Sequence, residues 1–290
     1  NFTTATQTFN TAVGYSAGEA VTTGIKNTFV GGLAGDANTT GMNNIAIGYD
    51  SLGTNTAAGA NVAVGYEALK TFNSTTNTSQ FNTAVGTQAG KAVTTGIRNT
   101  LIGGATGFAL TDADFNVAIG MGFRAGEKVS TGIVNTLIGG IAGDALTAGQ
   151  ENVALGYSAL STDTLGSHTT AIGKDALFSQ NFTTATDSHN TAVGHSAGLA
   201  VTTGTHNTFL GSLAGDAAQT VAFSTLVGGA TSCGDTSSDN CNGFGYAINA
   251  VSGFTTVGIG ASDIRAQHGV ATWATVSDER YKKDIADSSL

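Results

Sequence analysis

With 290 residues the chain has room for one large or two medium domains, yet 42 Gly, no Pro, 7% aromatic and 11% charged residues do not describe an ordinary globular core, where about a quarter of residues are charged. A formal net charge of −9, with no Lys/Arg cluster before "RYKK" at Arg280–Lys283, argues against a nucleic-acid partner. No apolar run approaches the roughly 18 residues of a membrane span, so no membrane insertion is expected.

Taken in chain order, the opening "NFTTAT" at Asn1–Thr6 returns at Asn181–Thr186, which suggests that Asn1 is an interior point of a longer array. The stretch "NTAVGYSAG" at Asn10–Gly18 returns as "NTAVGTQAG" at Asn82–Gly90 and "NTAVGHSAG" at Asn190–Gly198. With the Asn of N-x-x-[VIL]-G as position zero, units begin at Asn10, Asn27, Asn44, Asn61, Asn82, Asn99, Asn116, Asn135, Asn152, Thr169, Asn190, Asn207 and Ser224. Most steps are 17 residues, with 21 after Asn61 and Thr169 and 19 after Asn116; degenerate units follow from Cys241 and Thr256.

Within each unit position +3 is Val, Ile or Leu and position +4 is Gly, and a second Gly follows ten residues later in most units. Val, Ile, Thr and Phe dominate between these turn points, and helical periodicity is absent. Two turns per unit predict two short strands per coil. The expected fold is all-β, a parallel β-solenoid (β-roll) of about 17 residues per coil across residues 1–262. The Asn at position zero (Asn10, Asn27, Asn44, Asn61, Asn82, Asn99, Asn116, Asn135, Asn152, Asn190, Asn207) is expected to stack as a hydrogen-bonded ladder.

Positions +2 and +5 vary together in size. Phe29, Leu101, Leu137, Phe209 and Leu226 at +2 accompany Gly or Ser at +5, whereas Ala at +2 accompanies larger residues such as Tyr15, Tyr49 or Tyr157. The expectation is that the aliphatic +3 faces the coil interior and that the opposite face packs against another copy of the chain. The insertions at 72–81, 122–123 and 178–189 are expected to protrude, making Phe72, Phe81, Phe178 and Phe182 candidates for stacking on a receptor glycan or for anchoring the loops. The five His are read as surface residues at unrelated repeat positions, with no metal or other cofactor expected. Cys233 and Cys241 flank the polar loop "CGDTSSDNC" and are disulfide candidates.

The N-x-[AV]-[VI]-G repeat resembles the head repeat of YadA-like trimeric adhesins and similar repeats in phage and algal-virus fibre proteins, over about Asn10 to Gly260. That resemblance implies left-handed parallel β-rolls packed three together, hence a homotrimer. Residues 263–290 break the period, and "WATVSDERYKKDI" (Trp273–Ile285) resembles the start of the endosialidase-type intramolecular chaperone of phage tail spikes. It implies self-cleavage before Asp278, with Ser277 as nucleophile and Lys282 as base; an ordinary helix start at "SDER" is the other reading.

Together these imply a structural or adhesive segment of a virion tail fibre, extracellular, with no enzymatic activity beyond a single self-cleavage. A bacterial trimeric adhesin head shares the repeat. An ice-binding solenoid is a further alternative, suggested by Thr at +1 and by "VTTG" at Val21, Val93 and Val201, although +1 is expected on the interior face.

Overall fold

The architecture, a computed structural model, describes residues 7–76, 78–120, 124–234, 236–237, 239–270 and the strand at 273–275. It is all-β: a parallel β-solenoid of about 14 turns spaced ~17 residues apart, with no helices among the described residues.

The strands in chain order are β1 Thr11–Val13, β2 Thr28–Val30, β3 Ile45–Ile47, β4 Val62–Val64, β5 Thr83–Val85, β6 Thr100–Ile102, β7 Val117–Ile119, β8 Thr136–Ile138, β9 Val153–Leu155, β10 Gly166–Ser167, β11 Thr170–Ile172, β12 Thr186–Asp187, β13 Thr191–Val193, β14 Thr208–Leu210, β15 Thr225–Val227, β16 Ser232–Cys233, β17 Asn242–Tyr246, β18 Asn249–Ala250, β19 Phe254–Ile259, β20 Ser262–Gln267 and β21 Trp273–Thr275. Each three-residue strand pairs in parallel with its equivalent in the next coil, Thr11 on Thr28, Thr28 on Ile45, and so to β17 on β19. There the direction reverses. β20 runs antiparallel on β19 and β21 antiparallel on β20, so the stack ends in a meander that crosses the 262/263 boundary expected from the sequence.

The strands end where they do because the Gly at +4 leaves the β region. Gly31 has φ +134°, and a Cβ there would lie 2.6 Å from the carbonyl oxygen of Gly48 in the next coil. A side chain is excluded both by backbone conformation and by the approach of the neighbouring coil.

Two expectations need correction. The coil carries one strand in most units, not two; among the described residues second strands occur as the pairs β10–β12 and β16–β18, with one isolated bridge between Gly59 and Ser79. The return path is a series of turns with left-handed residues at −1, +6 and +8, such as Phe81 (φ 59°), Gln88 (φ 59°) and Leu69 (φ 48°), which no strand tolerates. Coil-to-coil backbone bonds still run there, for example Gly18 N–H to Ala34 O (3.0 Å) and Gly35 N–H to Ser51 O (2.9 Å).

The second correction concerns the faces. Position +2 points into the coil, with Phe29, Ala46, Leu101, Ala118, Leu137 and Phe209 all buried, while +1 and +3 face outward. Val13, Ile47, Leu155 and Leu210, all at +3, are exposed. Interior volume is shared between +2 and +8, not +2 and +5. A Cβ on Gly35 would strike the Phe29 ring at 2.5 Å, and one on Gly90 would strike Leu101 at 2.6 Å. Where +2 is Ala46, Ala63, Ala154 or Ala171, position +8 is the buried Leu52, Leu69, Leu160 or Leu177. Position +5 lies outside, where Tyr49 and Tyr66 stack with ring centroids 5.9 Å apart.

Candidate functional site

Position zero forms a buried column. Asn27 donates its backbone N–H to Asn10 Oδ1 (2.8 Å) and its Nδ2 to Gly41 O (2.9 Å), and its own Oδ1 accepts the N–H of Asn44 (2.9 Å). The same three-way pattern recurs at Asn82, Asn99, Asn116 and Asn135. Each carboxamide therefore ties the strand entry of the next coil to a turn carbonyl, and amide-to-amide contacts at 3.1–3.3 Å are an addition from Asn61 to Asn152. The column is polar but fully satisfied, which is what permits it inside so thin a core.

At Thr169 the column changes chemistry. Gln180, from the insertion after this coil, donates to Asp163 Oδ2 (2.7 Å) and to Thr169 Oγ1 (3.0 Å) while accepting from Asn190 Nδ2 (2.9 Å). Asp163 also accepts the N–H groups of Gly166 and Phe182. Burial raises its carboxyl above the usual range even so, with Gln180 as the chief opposing influence. The spacing of the repeat marked the 21-residue step but gave no sign that buried Asp163 and Gln180 fill it.

The aromatic candidates separate. Phe72 is fully buried and Phe182 nearly so, because both insertions fold back on the stack; as candidates for receptor contact they are withdrawn in favour of the loop-anchoring role. Phe81 and Phe178 are exposed and are not brought together, one lying at −1 and the other at +9 of their units. The disulfide candidates Cys233 and Cys241 are both buried: Cys241 occupies position zero and donates its N–H to Ser224 Oγ (3.0 Å), and Cys233 sits on β16 opposite Ala250. Ser277, Asp278 and Lys282, together with the insertion at Gly122–Phe123, lie outside the described residues.

The histidines are not at unrelated positions. His168, His189 and His206 all stand at −1, immediately before position zero, following Glu151 in the same column. Their backbones are left-handed (φ 58°, 50° and 60°), which aims the side chains the same way in successive coils. The rings stack from His168 to His189 (5.2 Å) and from His206 to Phe223 (5.0 Å), and between them His189 and His206 meet in a tilted contact (4.9 Å). Lower in the column Arg98 lies over the Phe115 ring at 5.1 Å. The register was legible in the sequence, since His168, His189 and His206 each precede a position zero by one residue, but the stacking of the rings was not.

One charged network crosses three coils. Lys70 Nζ lies 2.8 Å from both Asp50 Oδ2 and Glu67 Oε1, Lys91 Nζ is 2.7 Å from Glu67 Oε2, and Gln88 donates to the same oxygen at 3.0 Å. The hydrogen bonds from Lys70, then Lys91 and Gln88, hold the Glu67 carboxyl down at about 2, and Asp50 and Glu67 hold the Lys70 amine well above its usual range.

Compared with family models, with curated proteins and with solved structures, the chain matches none of them.

Proposed function

We propose that the chain is a stiff segment of a homotrimeric extracellular fibre of the viral or phage tail-fibre kind, whose work is mechanical and adhesive. The observation that carries this reading is the outward row at +1 and +3. Val13, Ile45, Ile47, Ile102, Leu155 and Leu210 are each more than a third exposed and stand one above another along the stack. A continuous apolar stripe along a solenoid is a surface that soluble monomers rarely leave open. The interior, mostly Ala with a Leu or Phe per coil, buries little by itself, so lateral packing of copies supplies the missing apolar burial. Three copies, rather than two, come from the resemblance of the repeat to trimeric adhesin heads. Phe81 and Phe178 are the exposed aromatics on which a cell-surface glycan would stack. The self-cleaving chaperone reading of Ser277, Asp278 and Lys282 belongs to the same proposal.

A second reading gains from the reversed faces. Position +1 is Thr in nine coils, Thr11 and Thr208 among them, and these hydroxyls lie outward between aliphatic +3 residues, as an ice-binding face requires. Native mass spectrometry of the purified chain separates the two. A mass of three times 28.8 kDa supports the fibre, and a monomer that depresses the freezing point without changing the melting point overturns it in favour of ice binding.

A further inference from the structure

We infer that His168, Asp187 and His189 form a binding site for a divalent first-row transition metal ion, zinc or copper, on the outside of the solenoid. One ligand atom from each of the three side chains can be chosen so that all lie within 4.8 Å of one another. His168 Nδ1 is already 3.0 Å from Asp187 Oδ1, close to the edge of a tetrahedron around a metal with bonds of about 2.0–2.2 Å. The other ring nitrogen of His168 faces a second carboxylate, with Glu151 Oε2 3.4 Å from Nε2. Without an ion Nδ1 donates to Asp187; with an ion bound between Nδ1 and Asp187 the ring proton would stand on Nε2, where Glu151 can accept it.

Three features of the fold bring these groups together. The left-handed backbone at −1 in consecutive coils projects Glu151, His168 and His189 as one row. The four extra residues before Asn190 create β12, whose pairing with β10 sets Asp187 beside Ser167 and so next to His168. The His168 and His189 rings stack with planes 25° apart, so small rotations bring both nitrogens to one ion. Two imidazoles and one carboxylate with open positions suit zinc, copper or nickel and disfavour magnesium and calcium, which take oxygen ligands. The ion would join the insertion to the coil before it.

The test is isothermal titration of the untagged chain with zinc chloride, with magnesium chloride as the control ion. The expected result is one zinc per chain and no heat from magnesium. Affinity should fall at least about tenfold in His189→Gln and in Asp187→Asn, and by a smaller factor in Glu151→Gln, whose carboxylate acts through His168. His206→Gln, one coil further along the same column, should bind as the parent does. Circular dichroism of each variant establishes that it is folded. Copper bound to the parent should give an electron paramagnetic resonance spectrum with coupling to two nitrogens. No zinc binding by the parent, or binding that His189→Gln leaves unchanged, overturns the site.

Discussion

Asn99 shows how much one repeated side chain is asked to do. Its Oδ1 accepts the N–H of Asn116 (3.0 Å), and its Nδ2 donates to Ala113 O (2.7 Å), with all of these groups buried. Asn99→Ala strands one donor and one acceptor, and at about 1–3 kcal/mol for each the variant should lose about 2–6 kcal/mol in denaturant unfolding. Asn99→Ser should lose less, because the chain itself uses a hydroxyl this way: Ser224 Oγ accepts the N–H of Cys241 at 3.0 Å. Equal loss in the two variants would mean that the serine does not reach the N–H of Asn116, and the comparison of the two unfolding curves decides it. Asn recurring at position zero in eleven of the thirteen units was legible as a ladder, since a polar residue is kept there beside a Gly-closed strand. That its amides bond backbone more than one another was not legible, because that depends on the turn carbonyl fourteen residues on.

At the scale of the coil, the sequence carried the period and the strand but misled on which face was inside. Val and Ile at +3 look like core and Ala at +2 does not, yet alternation along the strand sets +1 and +3 on one face and +2 on the other, and the interior beside +2 is filled by Leu, Phe or Val from elsewhere in the coil. The partner of +2 was sought at +5; the Gly at +8, whose Cβ would strike Phe29 or Leu101, was the informative position. The candidate site was least legible where insertions act, since Phe72, Phe182, Gln180 and Asp187 take their roles from how four extra residues fold back.

The coil-to-coil charge network permits a prediction in pH. Glu67 titrates at about 2 in the fold against 4.5 for the ordinary side chain, so the stability it contributes is fully present above pH 4.5 and is lost as pH falls toward 2. Asp163, raised by burial, acts with the opposite sign, its destabilising charge being removed as pH falls. The parent alone therefore shows a sum, and the comparison with Glu67→Gln isolates one part. The variant should melt lower at pH 7 by a few degrees, with the difference shrinking between pH 4.5 and 2. A difference that stays constant down to pH 2 would mean that Lys70 and Lys91 do not hold Glu67 ionised in solution.

Over the whole molecule, a stack in which each coil touches only its neighbours should tolerate losing whole coils and not fractions of them. Residues 99–134 comprise two coils, and their removal places the unit at Asn82 against the unit at Asn135. That junction repeats a native one in kind. Gly90 now receives Leu101 of the next coil, and after the deletion would receive Leu137, which in the native chain is seated in the same way on Gly126. Asn82 would offer its Oδ1 to the N–H of Asn135 as it now does to that of Asn99. The shortened chain should keep the β-sheet circular dichroism per residue and one cooperative transition within about 5 °C of the parent. Deleting residues 99–126 instead leaves half a coil and joins a strand entry to a turn, breaking the Asn column and the interior +2/+8 pairing together. That variant should lose the cooperative transition. If both deletions unfolded alike, the coils would not be interchangeable units, and stability would have to reside in long-range features such as the terminal meander of β19 to β21 or contacts between copies.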